Sequence, residues 1–328
     1  FGVSHATSDD VSFVHAFDYA TTPAYGPTPA FPYALDAIAE PDWLAASEYS
    51  NIEQNLTRYF GSARFSVTDE MHVIAGFNAI DFERTGQNAG AVIDNSESEA
   101  SPYVGATYAV TEDVNAYVSY SDVYQPQEQY DINGQYLDPT KGQNFEAGVK
   151  AQWFDDRLLT TFAYFTAEQD NLAAYAGTNP DTLQYYYKGV SVESDGFEIE
   201  VAGQVTDALR VNASYTAIDV EDEQGNDANL WAPRDVVTFQ LAYTVPQAPE
   251  VELGFGGRWQ SEISNVDYNV EQGAYFLGNV YASRAFTEDL TVRMNINNIF
   301  DKKYINSLHT VGYYGAGINA QLSASYSF

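Results

Sequence analysis

The sequence predicts an all-β fold, an antiparallel transmembrane β-barrel, on three observations. Apolar and polar residues alternate over stretches of about ten positions or more, which gives each strand two unlike faces. Short acidic turns alternate with longer polar loops and recur about every 40 to 50 residues, the length of two tilted strands with one turn and one loop. No run approaches about 18 apolar residues, so a helical crossing is excluded while a crossing by strands stays open.

Composition narrows the partners. The 328 residues carry 14 Lys plus Arg against 46 Asp plus Glu, a formal net charge of -32, so the chain repels phosphate backbones, and nucleic acid is excluded. An aromatic content of 15% separates it from a solvated acidic tail. The absence of Cys removes a disulfide scaffold, a thiolate metal site and a cysteine nucleophile. Phe1 opens directly on Gly-Val-Ser-His-Ala-Thr with no signal-peptide pattern, which reads as a processed product or a fragment beginning inside a strand.

In chain order the alternation predicts strands over 1–6, 49–67, 71–84, 99–110, 114–124, 143–153, 157–170, 184–203, 208–220, 235–244, 251–261, 274–285, 290–299 and 314–328. Leu209, Val211, Ala213 and Tyr215 share one face, for example, and Arg210, Asn212 and Ser214 the other. Short turns fall at Thr68-Asp69-Glu70, Thr111-Glu112-Asp113, Phe154-Asp155-Asp156, Thr206-Asp207, Val245-Pro246-Gln247 and Thr287-Glu288-Asp289. The longest expected loop, 8–48, is rich in Pro, Ala and Tyr; a loop of that length is the best guess for an extracellular lid or ligand contact. A soluble β-propeller has a similar repeat length, but needs four short strands per repeat where two long ones fit here.

Basic residues test which face meets lipid, because Arg or Lys at mid-membrane costs about 2 to 4 kcal/mol. Arg64, Lys150, Arg210, Arg258 and Arg293 all fall on the polar face of their strands, the expected lumen side, and Arg284 sits near a short turn where it can reach water. From Ile318 to Phe328 the alternation is unbroken, and the chain ends on an aromatic residue, like the signal that outer-membrane assembly reads.

With these segments in place the sequence resembles the TonB-dependent siderophore receptors. The likeness is carried in order by Tyr59-Phe60-Gly61-Ser62-Ala63-Arg64-Phe65, by Ser119-Tyr120-Ser121-Asp122-Val123-Tyr124-Gln125-Pro126-Gln127 and by Asn144-Phe145-Glu146-Ala147-Gly148-Val149-Lys150. Asn298-Ile299-Phe300-Asp301-Lys302-Lys303-Tyr304 and the closing aromatic strand complete it. One departure is Tyr314-Gly315-Ala316-Gly317, where the family often has Gly-x-Pro-Arg. The resemblance covers about residues 50 to 328 and implies the C-terminal part of a 22-stranded barrel, about 14 strands, with residues 1–328 as a partial barrel domain and the plug domain absent. It implies a receptor in the outer membrane of a Gram-negative bacterium that imports a ferric siderophore, with iron as cargo and no resident cofactor or metal. The energy would come from a TonB-type protein acting through an N-terminal region outside this chain, in a lipid and lipopolysaccharide membrane.

Aromatic residues in the long loops offer faces for stacking on a chelate, and Tyr25, Trp43, Tyr130, Tyr136, Trp231, Tyr268 and Tyr313 are the candidates. The acidic loop with Asp219, Glu221, Asp222, Glu223 and Asp227 carries carboxylates for Ca²⁺ but lacks the twelfth-position Glu of an EF-hand, so a solvated loop is the simpler reading. His5, His15, His72 and His309 are scattered and no catalytic motif appears, so no catalytic residue is assigned and an enzyme is not expected. A passive porin or hydrophobic-solute channel of about 14 strands is the alternative function.

Overall fold

The computed structural model describes residues 1–16, 40, 42–88, 90–181, 184–309 and 312–328. Its strands are β1 (Gly2–Val14), β2 (Ser47–Ser66), β3 (Met71–Asn88), β4 (Ala91–Ala109), β5 (Val114–Gln125), β6 (Thr140–Trp153), β7 (Leu158–Thr178), β8 (Tyr185–Gln204) and β9 (Leu209–Asp222). They continue with β10 (Asp235–Thr244), β11 (Val251–Gln260), β12 (Ile263–Asn265), β13 (Val270–Gln272), β14 (Tyr275–Ala285), β15 (Leu290–Asn297), β16 (Ile305–Ser307), β17 (Tyr313–Tyr314) and β18 (Asn319–Tyr326). Fourteen of them follow one another in a single sheet, in the order β1 to β11, β14, β15, β18. The hairpins β12–β13 and β16–β17 stand outside it. Apart from these two interposed hairpins, sheet neighbours are successive in sequence, as antiparallel pairing through turns and loops allows.

Residues 1–61 and 77–100 make one compact unit, and residues 62–76 and 101–328 another. In the first, β1 pairs with β2 from Gly2↔Phe60 to Val14↔Ser47. The strand therefore continues eight residues beyond the expected end at Ala6, and the connector is 15–46 rather than 8–48. Beyond the expected ends at 84 and 99, β3 likewise continues to Asn88 and β4 begins at Ala91, just after Gly90 at φ 82°. Both extensions were invisible to alternation because Ser8-Asp9-Asp10 and Asp94-Asn95-Ser96-Glu97 have no apolar side. A strand portion that projects beyond hydrocarbon needs none.

In the second unit, register shows two chemically distinct faces. Opposed residues run Val149, Phe162, Ile199, Tyr215, Val237, Trp259, Phe276 across seven strands. On the opposite side the row is Lys150, Thr161, Glu200, Ser214, Thr238, Arg258. The apolar row is not packed away: Val149 is 41% exposed, Phe162 49%, Ile199 40% and Trp259 36%. A sandwich or propeller would bury such a row between layers, so the exposed face identifies a sheet whose solvent is hydrocarbon. Arg284, on that face, reaches Glu250 at 3.7 Å near the short turn and lies over the Phe286 ring at 5.1 Å.

The short turns share a device. Thr68, Thr206 and Thr287 each accept a hydrogen bond on Oγ1 from the backbone N–H three residues on, at 3.0 Å, and Thr111 accepts one from Asp113 N at 3.3 Å. The hydroxyl thus replaces a backbone acceptor that a two-strand turn lacks. The turn at Phe154, Asp155 and Asp156 instead places all three in the left-handed region, at φ 57°, 56° and 64°. At the far end of the chain, the expected strand 314–328 divides into β17 and β18. Asn298 holds the intervening segment by donating Nδ2 to Lys302 O and Ala316 O at 2.9 and 3.0 Å.

Candidate functional site

The longer connectors lie at the end of the second unit opposite the threonine turns, and two of them end in tips of the same design. Asp131 accepts hydrogen bonds on Oδ1 from the N–H groups of Asn133 and Gln135, both at 2.9 Å. Asp222 does the same with Gln224 and Asn226, also at 2.9 Å. In each tip the residue three positions after the Asp is Gly, Gly134 or Gly225, at φ 77°. Backbone donors from Gln135 and from Asn226 are the leading cause that holds these two carboxyls below the usual aspartate range. Asp222 is therefore a loop staple, its Oδ1 committed to main-chain N–H groups and its Oδ2 to the Asn226 side-chain amide at 3.2 Å.

These tips are tied to their neighbours. Tyr187 N donates to Tyr130 O at 2.8 Å and Asn179 Nδ2 to Ile132 O at 3.0 Å, joining the β5–β6 connector to the β7–β8 hairpin. Buried Gln127 donates to Asp138 O and Asn171 O, both at 2.5 Å. Ser191 N donates to Glu223 Oε1 at 3.1 Å, bringing the β9–β10 connector against β8. Below these links lies a cavity of about 410 Å³, within the range of ligand sites.

Register explains its lining. Asn144, Ala167, Ser194 and Val220 oppose one another across β6, β7, β8 and β9, and Gly142, Gln169 and Val192 form the next row. By alternation both rows are on the Lys150 side, the polar face. Asn229 (φ 52°) completes the lining from the β9–β10 connector. Glu168 and Gln143, also at the rim, belong to the alternate face. Among the described residues the side-chain amides of Asn144, Gln169 and Asn229 make no hydrogen bond, while Ser194 Oγ donates weakly to Ala167 O at 3.3 Å. Unpaired carboxamides beside aliphatic Val123, Val192, Ile218 and Val220 offer donors, acceptors and apolar contact to a ligand. A second cavity, of about 460 Å³, is lined by Asp219, Asp227, Asp235, Glu262 and Glu271 with Arg234 as its one basic residue.

Further toward the turns, the polar face repeats a four-residue arrangement. The Tyr281 ring crosses Gly254, its hydroxyl donates to Glu252 Oε1 at 2.7 Å, and Arg293 lies over the ring at 3.7 Å. Glu252 also accepts from Arg210 Nη2 at 3.2 Å. Tyr117 likewise crosses Gly148, donates to Glu146 and carries Lys150 at 5.1 Å from its ring centre. Lys150, Arg210, Arg258 and Arg293 thus share one face. Arg64 projects from β2 on the side opposite Ala63 and Phe65.

The aromatic candidates do not gather into one site. Tyr130 and Tyr136 pack against each other with ring centres 4.7 Å apart and planes tilted by 41° within the β5–β6 connector, and Trp231 meets His309 edge-on at 4.4 Å. Tyr268 and Tyr313 are exposed, Trp43 donates to Glu40 at 3.0 Å, and Tyr25 lies outside the described residues. None of them lines the 410 Å³ cavity. Sequence reasoning missed Asn144, Gln169, Ser194 and Asn229, because polar residues on a polar strand face carry no distinguishing signal until register groups them.

Comparison with known proteins places this geometry. A family model described as TonB dependent receptor-like, beta-barrel, matches residues 1–299. The ferripyoverdine receptor of Pseudomonas aeruginosa is 31% identical over 310 residues, which is 89% of this chain and 38% of that protein. The ferrioxamine B receptor of Salmonella typhimurium is 26% identical over 329 residues, 94% of this chain and 46% of that protein. The crystal structure of the P. aeruginosa outer-membrane ferripyoverdine receptor bound to ferripyoverdine superposes with a TM-score of 0.81 at 29% identity, covering 99% of this chain and 46% of that one. The chain spans less than half the length of these relatives.

Proposed function

This chain belongs to the TonB-dependent receptor family as part of its outer-membrane β-barrel, and on that premise we propose that it serves in importing a ferric siderophore, with energy from a TonB-type partner. The carrying observation is the 410 Å³ cavity: it opens on the polar face, which lines the interior of a barrel, at the end bearing the long connectors. A ligand arriving from outside meets that end first. Iron travels as cargo inside its chelate, and the barrel contributes the binding surface. Names of the relatives favour peptide and hydroxamate chelates, ferripyoverdine and ferrioxamine B, as ligand chemistry.

The test is radiolabelled iron uptake from ferric pyoverdine and ferrioxamine B by iron-starved cells with and without the gene. Gene-dependent accumulation that collapses on adding a protonophore supports energised import. Accumulation that continues unchanged with the protonophore would instead establish a passive channel.

A further inference from the structure

Resting on the siderophore reading, we propose that the cavity across β5 to β9 selects an uncharged or cationic, amide-bearing ferric chelate and rejects a trianionic tris-catecholate. The inward rows Asn144–Ala167–Ser194–Val220 and Gly142–Gln169–Val192–Asp222 contain no basic side chain; their one ionisable group is the Asp222 carboxylate at the end of the second row, and Glu168 at the rim is also acidic. Their hydrogen-bonding capacity is carboxamide and hydroxyl, and Asn144, Gln169 and Asn229 have theirs unspent. Carboxamides pair with the amide and hydroxamate groups of a peptide-like chelate, donor to acceptor and acceptor to donor, while Val123, Val192, Ile218 and Val220 receive its methylenes.

Charge points the same way. A tris-catecholate ferric chelate carries three negative charges, and binding one without basic partners strips its hydration with nothing in exchange. No Lys or Arg lines this cavity. The neighbouring cavity presents five carboxylates against the single guanidinium of Arg234, whose Nη2 is held by the carbonyls of Val220 and Ala228 and whose buried Nη1 has no partner among the described residues. A chain with a net charge of -32 adds a repulsive long-range field, which slows approach of an anion and favours a cation.

Three probes separate the outcomes: ferrioxamine B, a trihydroxamate with one ammonium; ferrichrome, an uncharged cyclic-peptide trihydroxamate; and ferric enterobactin, a trianionic tris-catecholate. Binding is measured by fluorescence quenching on receptor purified from outer membranes in detergent, at low and high salt. Ferrioxamine B and ferrichrome are expected to bind at least about a hundredfold more tightly than ferric enterobactin. Ser194→Lys is expected to narrow that ratio about tenfold by placing an ammonium in the neutral row. Asn144→Leu and Gln169→Leu are expected to weaken ferrichrome about tenfold while preserving heat-modifiable migration on gels, the mark of a folded barrel. Ferric enterobactin binding as tightly as the hydroxamates, or a ratio unmoved by Ser194→Lys, overturns the selection rule and leaves the receptor reading standing. Failure of all three probes and of ferric pyoverdine to bind overturns the receptor reading and the selection rule together.

Discussion

Replacing Gly254 by Ala tests whether the polar-face arrangement is a unit. A Cβ built on Gly254 falls 1.8 Å from Tyr281 Cε1, well inside contact distance, so the ring has to leave. Departure breaks the hydroxyl's 2.7 Å hydrogen bond to Glu252 and removes the surface under Arg293, now 3.7 Å from the ring centre. A hydrogen bond to a charged group contributes about 1.5 to 3 kcal/mol. The cation–π contact contributes about 0.5 to 2 kcal/mol. Because the Glu252 side chain is 29% exposed and its partner Arg210 52%, water screens the charges, and the low end of both ranges applies, about 2 kcal/mol together. Tyr281→Phe keeps the ring over Gly254 and under Arg293, and loses only the hydroxyl, about 1.5 kcal/mol or three quarters of that cost. Thermal unfolding in detergent, followed by circular dichroism at 218 nm on the ~β-sheet band, ranks the variants. Gly254→Ala as stable as the parent, or Tyr281→Phe as damaging as Gly254→Ala, would refute the reasoning.

Other consequences are checked in the same preparation. Thr287→Val leaves the Leu290 N–H without its 3.0 Å partner and is expected to cost about 1 kcal/mol in thermal unfolding, while Thr287→Ser restores it. Val280→Arg puts a charge on the apolar face, opposite Phe255 and Ile296, and is expected to cost about 2 to 4 kcal/mol and reduce assembly into outer membranes, whereas Arg284→Lys near the turn is tolerated. The depressed carboxyls of Asp131 and Asp222 make the loop tips pH-dependent: stabilisation is present above the usual aspartate range and is lost as pH falls through the lower folded values. Protection of the Gln135 and Asn226 amides, relative to their intrinsic exchange at each pH, is therefore expected to fall as pH drops through those lower values, and Asp222→Ala to abolish the change at Asn226.

Most of the membrane-level architecture was legible because hydrocarbon enforces period-two alternation. Segments such as Leu209 to Ala217 and Val237 to Tyr243 show their two faces without any structure, and β10 occupies the expected 235–244. Legibility ended where that constraint ended. Residues 8–14 and 91–98 pair as strands although Ser8-Asp9-Asp10 and Asp94-Asn95-Ser96-Glu97 within them are polar on both sides, which interrupts the apolar period. The candidate site was hidden for a different reason. Asn144 and Ser194 are fifty residues apart and meet only through the β6–β7 and β7–β8 registers, with Ala167 between them. Conversely, conspicuous aromatics such as Tyr130 and Trp231 satisfy local packing, against Tyr136 and His309.

The central claim is that Phe162, Ile199 and Val237 touch acyl chains while Asn212, Ser214 and Thr238 face water. These 328 residues contain no Cys, so single cysteines at these six positions are the only thiols within them to carry a spin label. Electron paramagnetic resonance in reconstituted bilayers then compares relaxation by oxygen, which concentrates in lipid, with relaxation by a water-soluble nickel chelate. Oxygen dominating at 162, 199 and 237, and nickel at 212, 214 and 238, is the predicted result. Labels at 162, 199 and 237 shielded from both reagents would show a dry protein interior and contradict the membrane sheet.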